Sequence, residues 1–597
     1  MTQQFEAIVI GTGQAGPPLA VRLGNAGRKT AIIERKLVGG TCVNNGCIPT
    51  KTLIASARTA HLARRGADYG VMLDGPVRVD MPRVKARKDA IVRQSNQGVT
   101  DWLKRTPNVT LIHGHARFEG PRTVRVNDDV LEAEQIFINV GGHATVPDMP
   151  GLASVPYLTN STMMDVDFLP EHLKLVGGTC VNNGCIPTKT LIASARTAHL
   201  ARRGADYGVM LDGPVRVDMP RVKARKDAIV RQSNQGVTDW LKRTPNVTLI
   251  HGHARFEGPR TVRVNDDVLE AEQIFINVGG HATVPDMPGL ASVPYLTNST
   301  MMDVDFLPEH LLIVGGSYVG LEFAQMYQRF GSRVTVIEMG ARLVGREDED
   351  VSAAVQSILE AEGIAFRLNA TCLDVEKDEA GIAANVSCEE EPRRIVGSHV
   401  LLAVGRVPNT RDLGLEQAGV KTDARGFITV NDDLSTNVPG IWALGDVNGR
   451  GAFTHTSYND YEIVAANLLD KDRRRVTDRI PAYALFIDPP LGRAGMTARE
   501  VRASGRKALV GTMQMARVGR ARERGETQGF MQVLVDAETK RIVGAALLGT
   551  EGDEAIHCLL DVMAAGAPYT LLQRTMHIHP TVSELIPTLL GDLKPLI

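Results

Sequence analysis

The sequence carries almost no net charge: 67 Lys and Arg stand against 68 Asp and Glu over 597 residues. A chain so balanced has no overall field to hold a polyanion or an acidic membrane surface, so neither nucleic acid nor membrane is an expected partner. It also lacks any uninterrupted apolar run near the ~18–20 residues needed to cross a bilayer. The strand-like Ile8-Val9-Ile10 follows the N-terminus with no basic segment or apolar leader core before it, and a cytoplasmic protein is expected. Cysteine is scarce. Cys42, Cys47, Cys180, Cys185, Cys372, Cys388 and Cys558 are odd in number and show no disulfide-scaffold spacing. What is abundant is length, which at roughly 100–200 residues per domain implies three to five domains.

Self-comparison shows that the 138-residue segment Lys36–Leu173 recurs without a difference as Lys174–Leu311. Solenoid repeats are shorter, diverge and occur at least three times, so this is a duplication rather than an architecture. Similar Leu/Ile-Val-Gly-Gly stretches at Leu175–Gly178 and Ile313–Gly316 mark the seam.

Residues 6–34 read strand, glycine turn, helix, strand. Gly11 allows the tight turn, Gly13 lets backbone approach a pyrophosphate, Gly16 lets helix pack on strand, and Glu34 can hold ribose hydroxyls. A second such unit opens at Leu312-Ile313-Val314, turns through Gly315, Ser317 and Gly320, continues as a helix to Phe330 and ends at Glu338. Two dinucleotides are implied. The acid at Glu338 favours a free ribose hydroxyl and hence NADH, while Arg342 nearby keeps NADPH open.

Between these units lies Gly39-Gly40-Thr41-Cys42-Val43-Asn44-Asn45-Gly46-Cys47-Ile48-Pro49-Thr50-Lys51, repeated as Gly177–Lys189 with Cys180 and Cys185. In an ideal helix, residues five apart stand about 8–9 Å apart, beyond the roughly 7 Å limit for a bridge. A bond between the cysteines therefore needs a distorted first turn, which Gly46 and Pro49 make possible. Thiolates at a helix N-terminus are stabilised there, and a strained disulfide is easily reduced. Two buried free thiols or half of a metal site are the competing readings.

This run resembles the redox helix of the class I pyridine-nucleotide disulfide oxidoreductases, which include dihydrolipoamide dehydrogenase, glutathione reductase and mercuric reductase. The resemblance covers the whole chain apart from the extra copy. It implies FAD and NAD(P)H as cofactors, with Cys47 as the charge-transfer thiol, Cys42 as the interchange thiol, and Lys51 beside the flavin with Glu322 as its partner. Thr436–Asp446 is similar to the second flavin motif, with Gly445 in its turn and Asp446 on the ribitol chain, and Ile138–Gly142 and Leu402–Arg406 resemble the domain-connecting strands. His579-Pro580-Thr581-Val582-Ser583-Glu584 resembles the family's His-Pro-x-x-Ser-Glu signature, implying His579 as acid-base catalyst and Glu584 as its orienting carboxylate. In the family that histidine reaches the cysteines of a partner subunit, so a homodimer is implied and a monomer would lack a complete site.

The expected fold is α/β: two Rossmann-like dinucleotide-binding domains plus an α+β C-terminal dimerisation domain. The expected boundaries are residues 1–173 for the flavin domain, 174–311 for the duplicate, 312–432 for the NAD(P) domain, 433–477 for the returning flavin segment and 478–597 for dimerisation. That last region shows a capping box at Thr497–Glu500, a hairpin around Met531–Val535 and Arg541–Gly544, and a helix after Glu551. The cluster Arg517, Arg520, Arg522 and Arg524, interleaved with Glu523 and Glu526, reads as a solvated face.

No resident metal site is expected. The expected acceptor is a disulfide or a metal ion. No cysteine follows Cys558, where mercuric reductases carry a metal-handing pair, and the sequence looks closer to mercuric-reductase-like proteins of the reactive-chlorine-resistance, copper(II)-reducing type. Dihydrolipoamide dehydrogenase is the alternative enzyme, and a non-catalytic product spoiled by its duplication is the alternative of another class. The first copy is expected to carry the working redox helix, leaving the second displaced, mobile and protease-sensitive.

Overall fold

The computed structural model describes residues 2–44, 47–69, 71–139, 185–250, 252–370, 372–387 and 393–597. Cys180 and the connecting segment 140–142 lie outside them. Of Cys47 and Cys185 only the backbone is described, each at the first position of its helix.

Ala7–Ile10 and Thr30–Glu34, buried at every position, pair in parallel, joined by the glycine turn and the helix Gly16–Asn25. The first copy completes this sheet. Val109–His113 adds beside Thr30–Glu34, and Gln135–Ile138 beside Ala7–Ile10. The second copy has the same residues and a different structure. Val247–Ile250 forms no strand and leaves Val247 and Ile250 exposed, because the strand its counterpart pairs with occurs once in the chain. Ile274–Ile276 instead pairs in parallel with Ile441–Ala443. The second dinucleotide unit is a five-stranded sheet ordered Leu296–Thr297, His399–Leu402, His310–Val314, Arg333–Ile337, Ala365–Arg367, with the helix Tyr318–Phe330 against it. This sheet takes in residues before the expected boundary at 312.

The second copy is not displaced. Its Leu191, Ala195, Met219, Val222, Met301 and Met302 are buried in one hydrophobic cluster with Phe323, Tyr327 and Phe330 of the second unit and Leu485 and Phe530 of the C-terminal domain. Its helix Cys185–Arg202 packs on Tyr318–Phe330. The expectation of a loose segment fails because this copy supplies apolar surface that the second unit needs.

The two copies also pack on each other, and their strand pairings, ion pairs and ring contacts come in mirrored sets. Val209–Leu211 pairs antiparallel with Val77–Val79, and Val215–Val217 with Val71–Leu73. Arg78 bonds Asp212 at 2.9 Å while Arg216 bonds Asp74 at 2.7 Å. Arg87 lies over the Tyr207 ring while Arg225 lies over Tyr69. Each of these pairs maps onto the other under the 138-residue offset. Such reciprocity is the signature of an isologous two-fold interface.

The C-terminal domain is a six-stranded sheet, ordered Ala482–Leu485, Leu491–Gly495, Ile542–Leu548, Phe530–Asp536, Ala508–Gln514, Lys594–Pro595. The capping box closes at Thr497 and Glu500, the Phe530–Asp536 and Ile542–Leu548 strands form the expected hairpin, and Gly552–Ala564 is the expected helix. No helix among the described residues is long and apolar enough to cross a membrane.

Candidate active site

Both glycine turns are built alike. Gly11 and Gly315 hold left-handed φ of 104° and 112°, and each donates its N–H to the end of the next strand. A Cβ on Gly16 would stand 2.2 Å from the Gly11 carbonyl, and one on Gly320 2.0 Å from that of Gly315, so close helix–strand approach demands glycine at both. The strand-ending acids then tie each loop. Glu34 accepts from the Thr12 N–H and hydroxyl and from the Lys36 N–H, and Glu338 accepts from the N–H of Gly316 at 2.6 Å and of Gly340 at 2.7 Å. The second turn borders a cavity of about 440 Å³ with Ser317, Glu338, Arg342 and Arg346 at its wall. In the first, the Asn139 side-chain nitrogen stands beside Gly13 and Gly16, buried with no hydrogen-bond partner among the described residues. A buried donor at a glycine cradle is what a phosphate oxygen would satisfy, so this loop fits the pyrophosphate of a dinucleotide.

The turn carrying Cys42 rests directly on that loop. Gly39 donates to the Thr12 hydroxyl at 3.1 Å, and a Cβ on Gly40 would come 2.7 Å from the Gly13 Cα. Asn44 braces the turn, donating to the carbonyls of Val38 and Gly40. The first copy therefore places the turn that carries Cys42 at the glycine loop.

Cys42 Sγ lies 3.0 Å from Nε2 of His579, and Nδ1 of the same ring lies 2.6 Å from a Glu584 oxygen. The hydrogen bond to Glu584 raises the imidazole pKa, against an opposing cost of burial. Thiol, imidazole and carboxylate thus stand in line within one chain. An imidazolium there stabilises a Cys42 thiolate, and a neutral imidazole can take the thiol proton.

The arginine cluster is a solvated face only at Arg517, which is exposed, whereas Arg520, Arg522 and Arg524 are half-buried. The helix Gly519–Arg524, ended by Gly525 at φ 65°, packs on the first-copy helix Cys47–Arg64. Arg520 donates to the Pro580 carbonyl, and Arg87 donates to the carbonyls of Thr52 and Glu523. The Glu523 side chain is 1 % exposed. Burial pushes its carboxyl up to about 7, opposed by Arg520 and His579. The sequence signal was available as a short segment bounded by Gly519 and Gly525, but its charges masked a buried helix.

Two further expectations meet a different arrangement. Glu322 pairs with Lys189 at 2.6 Å rather than with Lys51, because the second-copy helix is the one packed on the helix that carries Glu322. Lys51 and Lys189 instead line one cavity of about 400 Å³, together with Arg196, Phe486, Arg520 and Glu523. Gly445 and Asp446 follow Ile441–Ala443 and stand with the second copy. A Cβ on Gly445 would meet Asn277, the counterpart of Asn139, at 2.7 Å, and Asp446 lies 3.4 Å from Arg406. The two stretches assigned to one flavin thus lie on separate sheets, each beside its own copy's asparagine.

Comparison with known proteins identifies the family. The family described as "Pyridine nucleotide-disulphide oxidoreductase" matches residues 5–178 and 170–460, and its dimerisation domain matches 481–590. The "Probable pyridine nucleotide-disulfide oxidoreductase RclA" of Escherichia coli (strain K12) is 36% identical over 436 residues, 72% of this chain and 94% of that protein. A mercuric reductase of Streptomyces lividans is 34% identical over 69% of this chain and 87% of that protein. Among solved structures, the Cu(II) complex of a mutant of the HOCl-induced flavoprotein disulfide reductase RclA from E. coli superimposes with a TM-score of 0.63 at 27% identity, covering 99% of both chains.

Proposed function

Because the chain belongs to the pyridine nucleotide-disulphide oxidoreductases, an FAD-dependent family of enzymes whose dimerisation domain supports a homodimer, we propose that it draws electrons from NADH and delivers them through Cys42 and Cys47 to Cu(II). The line from Cys42 through His579 to Glu584 carries this reading. FAD, when bound, supplies hydride acceptance from the nicotinamide and electron-pair delivery to the cysteine disulfide. Gly11, Gly13, Gly16 and Glu34 would hold its nucleotide half. Gly315, Ser317, Gly320 and Glu338 would hold the nicotinamide dinucleotide, and the Glu338 carboxylate disfavours a 2′-phosphate.

The reduced pair then holds two electrons. Two Cu(II) ions take one each, the two thiols close to a disulfide, and two protons leave. His579 receives the Cys42 proton, with Glu584 fixing its tautomer and stabilising the cation. Support for Cu(II) over a disulfide comes from the E. coli relative, two of whose solved structures are Cu(II) complexes.

An acceptor panel tests the proposal. Purified flavoprotein is given NADH or NADPH with Cu(II), Hg(II), lipoamide or glutathione disulfide, and Cu(I) is read with a chromogenic chelator. The expected result is NADH-driven Cu(II) reduction that is lost in Cys42→Ser. Faster turnover of lipoamide, or Cu(II) reduction indifferent to Cys42, overturns it.

A further inference from the structure

We infer that the first copy occupies, within this chain, the place that the same segment of a second subunit would occupy, so that the Cys42–His579 pair closes in a single polypeptide. The inference rests on reading Cys42 and His579 as the acceptor-side thiol and its acid-base partner.

Two observations carry it independently. The first is the reciprocity between the copies. Beyond the paired strands and ion pairs, Ala60, Ala63 and Val209 share one small core and Ala198, Ala201 and Val71 another, the two sets exchanging under the 138-residue offset. Arg83 reaches the Met210 sulfur while Arg221 reaches that of Met72. A segment that serves as a loop between two domains has no reason to meet its twin isologously. Two identical segments related by a two-fold axis do, because any contact that favours one side favours the other equally.

The second observation is the division of labour around that axis. The first copy completes the sheet of the N-terminal glycine unit, whereas the second copy is the domain partner of the later part of the chain, through Ile274–Ile276 on Ile441–Ala443 and Lys189 on Glu322. The first copy approaches the C-terminal domain from across the two-fold, through Arg87 at Glu523 and Cys42 at His579. The carbonyls of Gly525 and Arg524 accept from Arg203 and Tyr207 of the second copy. The C-terminal domain is therefore gripped by both copies, one as its neighbour in its own domain set and one as a visitor.

The arrangement removes the concentration dependence that a relay shared between two chains would have. The test uses a Cys180→Ser/Cys185→Ser background, which makes the Cys42 peptide distinguishable from its twin. Alkylation of the reduced protein by iodoacetamide at pH 7 is followed by peptide mass spectrometry. His579→Gln in the same chain is expected to slow Cys42 alkylation about tenfold or more, as the thiolate fraction falls. If it has no effect, the thiol–imidazole reading itself fails. The His579→Gln chain is then coexpressed, under a different affinity tag, with a Cys42→Ser chain that retains His579. Recovery of a doubly tagged species whose Cys42 stays slow supports closure within one chain. Restored Cys42 reactivity in the doubly tagged species shows that the imidazole comes from another chain and overturns the inference.

Discussion

The helices Cys47–Arg64 and Cys185–Arg202 share one sequence and stand in two environments. Arg58 is exposed at a cavity wall, whereas its twin Arg196 bonds Asp488 and Glu526. His61 lies half-buried in the first copy. Its twin His199 is driven down to about 3 by burial and by Arg329. One copy faces the C-terminal domain across a two-fold axis, and the other lies against Tyr318–Phe330. The difference teaches that a residue's chemistry here is set by its neighbours, so equivalent substitutions in the two copies should have unequal effects.

Cys42 and Cys180 provide the sharpest test. Cys42→Ser should slow the acceptor half-reaction about 1,000-fold or more, the scale for loss of a reacting thiol, while Cys180→Ser should leave it within about twofold. Rapid-mixing kinetics with pre-reduced enzyme measure both. Equal losses would show that both copies serve as redox sites and erase the comparison. His579→Ala should slow the same half-reaction about 100-fold and spare reduction by NADH. Loss in both half-reactions would point to damaged folding instead.

Much of the site is legible in the amino-acid sequence alone. The two glycine turns, the acids ending their strands, the capping box at Thr497 and the His579–Glu584 pair all depend on local spacing, which a sequence displays. The partner of Glu322 is not legible there. Lys51 and Lys189 are the same residue in the same context, and only three-dimensional packing chooses Lys189. Val109–His113 and Val247–Ile250 make the same point for structure: identical residues form a strand only where Thr30–Glu34 offers an edge. Glu523 escapes a sequence reading because a charged run reads as surface unless its burial is known.

The ion-pair network extends the comparison to stability. Asp488 lies between Arg196 and Arg329, and those two guanidinium groups hold its carboxyl well below the usual range despite burial. Arg196→Ala should destabilise the protein by about 2 kcal/mol, less than the ~3–5 kcal/mol of a fully buried pair because Arg196 keeps part of its side chain in water. Arg58→Ala should stay within about 0.5 kcal/mol. Denaturant midpoints compared at a common m-value decide the matter, and equal shifts would mean that the two helices share one environment.

A dependence on pH is expected that belongs to the first-copy contact alone. Glu523 is buried where the helix Gly519–Arg524 meets Cys47–Arg64, and its carboxyl is raised from an ordinary 4.5 to about 7. A folded-state pKa above the unfolded value means that the native protein holds the proton more tightly. The resulting stability is fully present below about pH 4.5 and is lost as pH rises through 7, when the buried group must ionise. Glu523→Gln remains neutral throughout. Relative to this variant, the wild type should therefore lose about 1–3 kcal/mol between pH 5 and pH 8. His579, raised by Glu584, also loses its contribution as pH rises, but it does so in both proteins and largely cancels in the difference. Chemical denaturation of the two proteins at several pH values measures the gap. Curves that run parallel from pH 5 to pH 8 would place Glu523 in water, and with it the face that the first copy is held to cover.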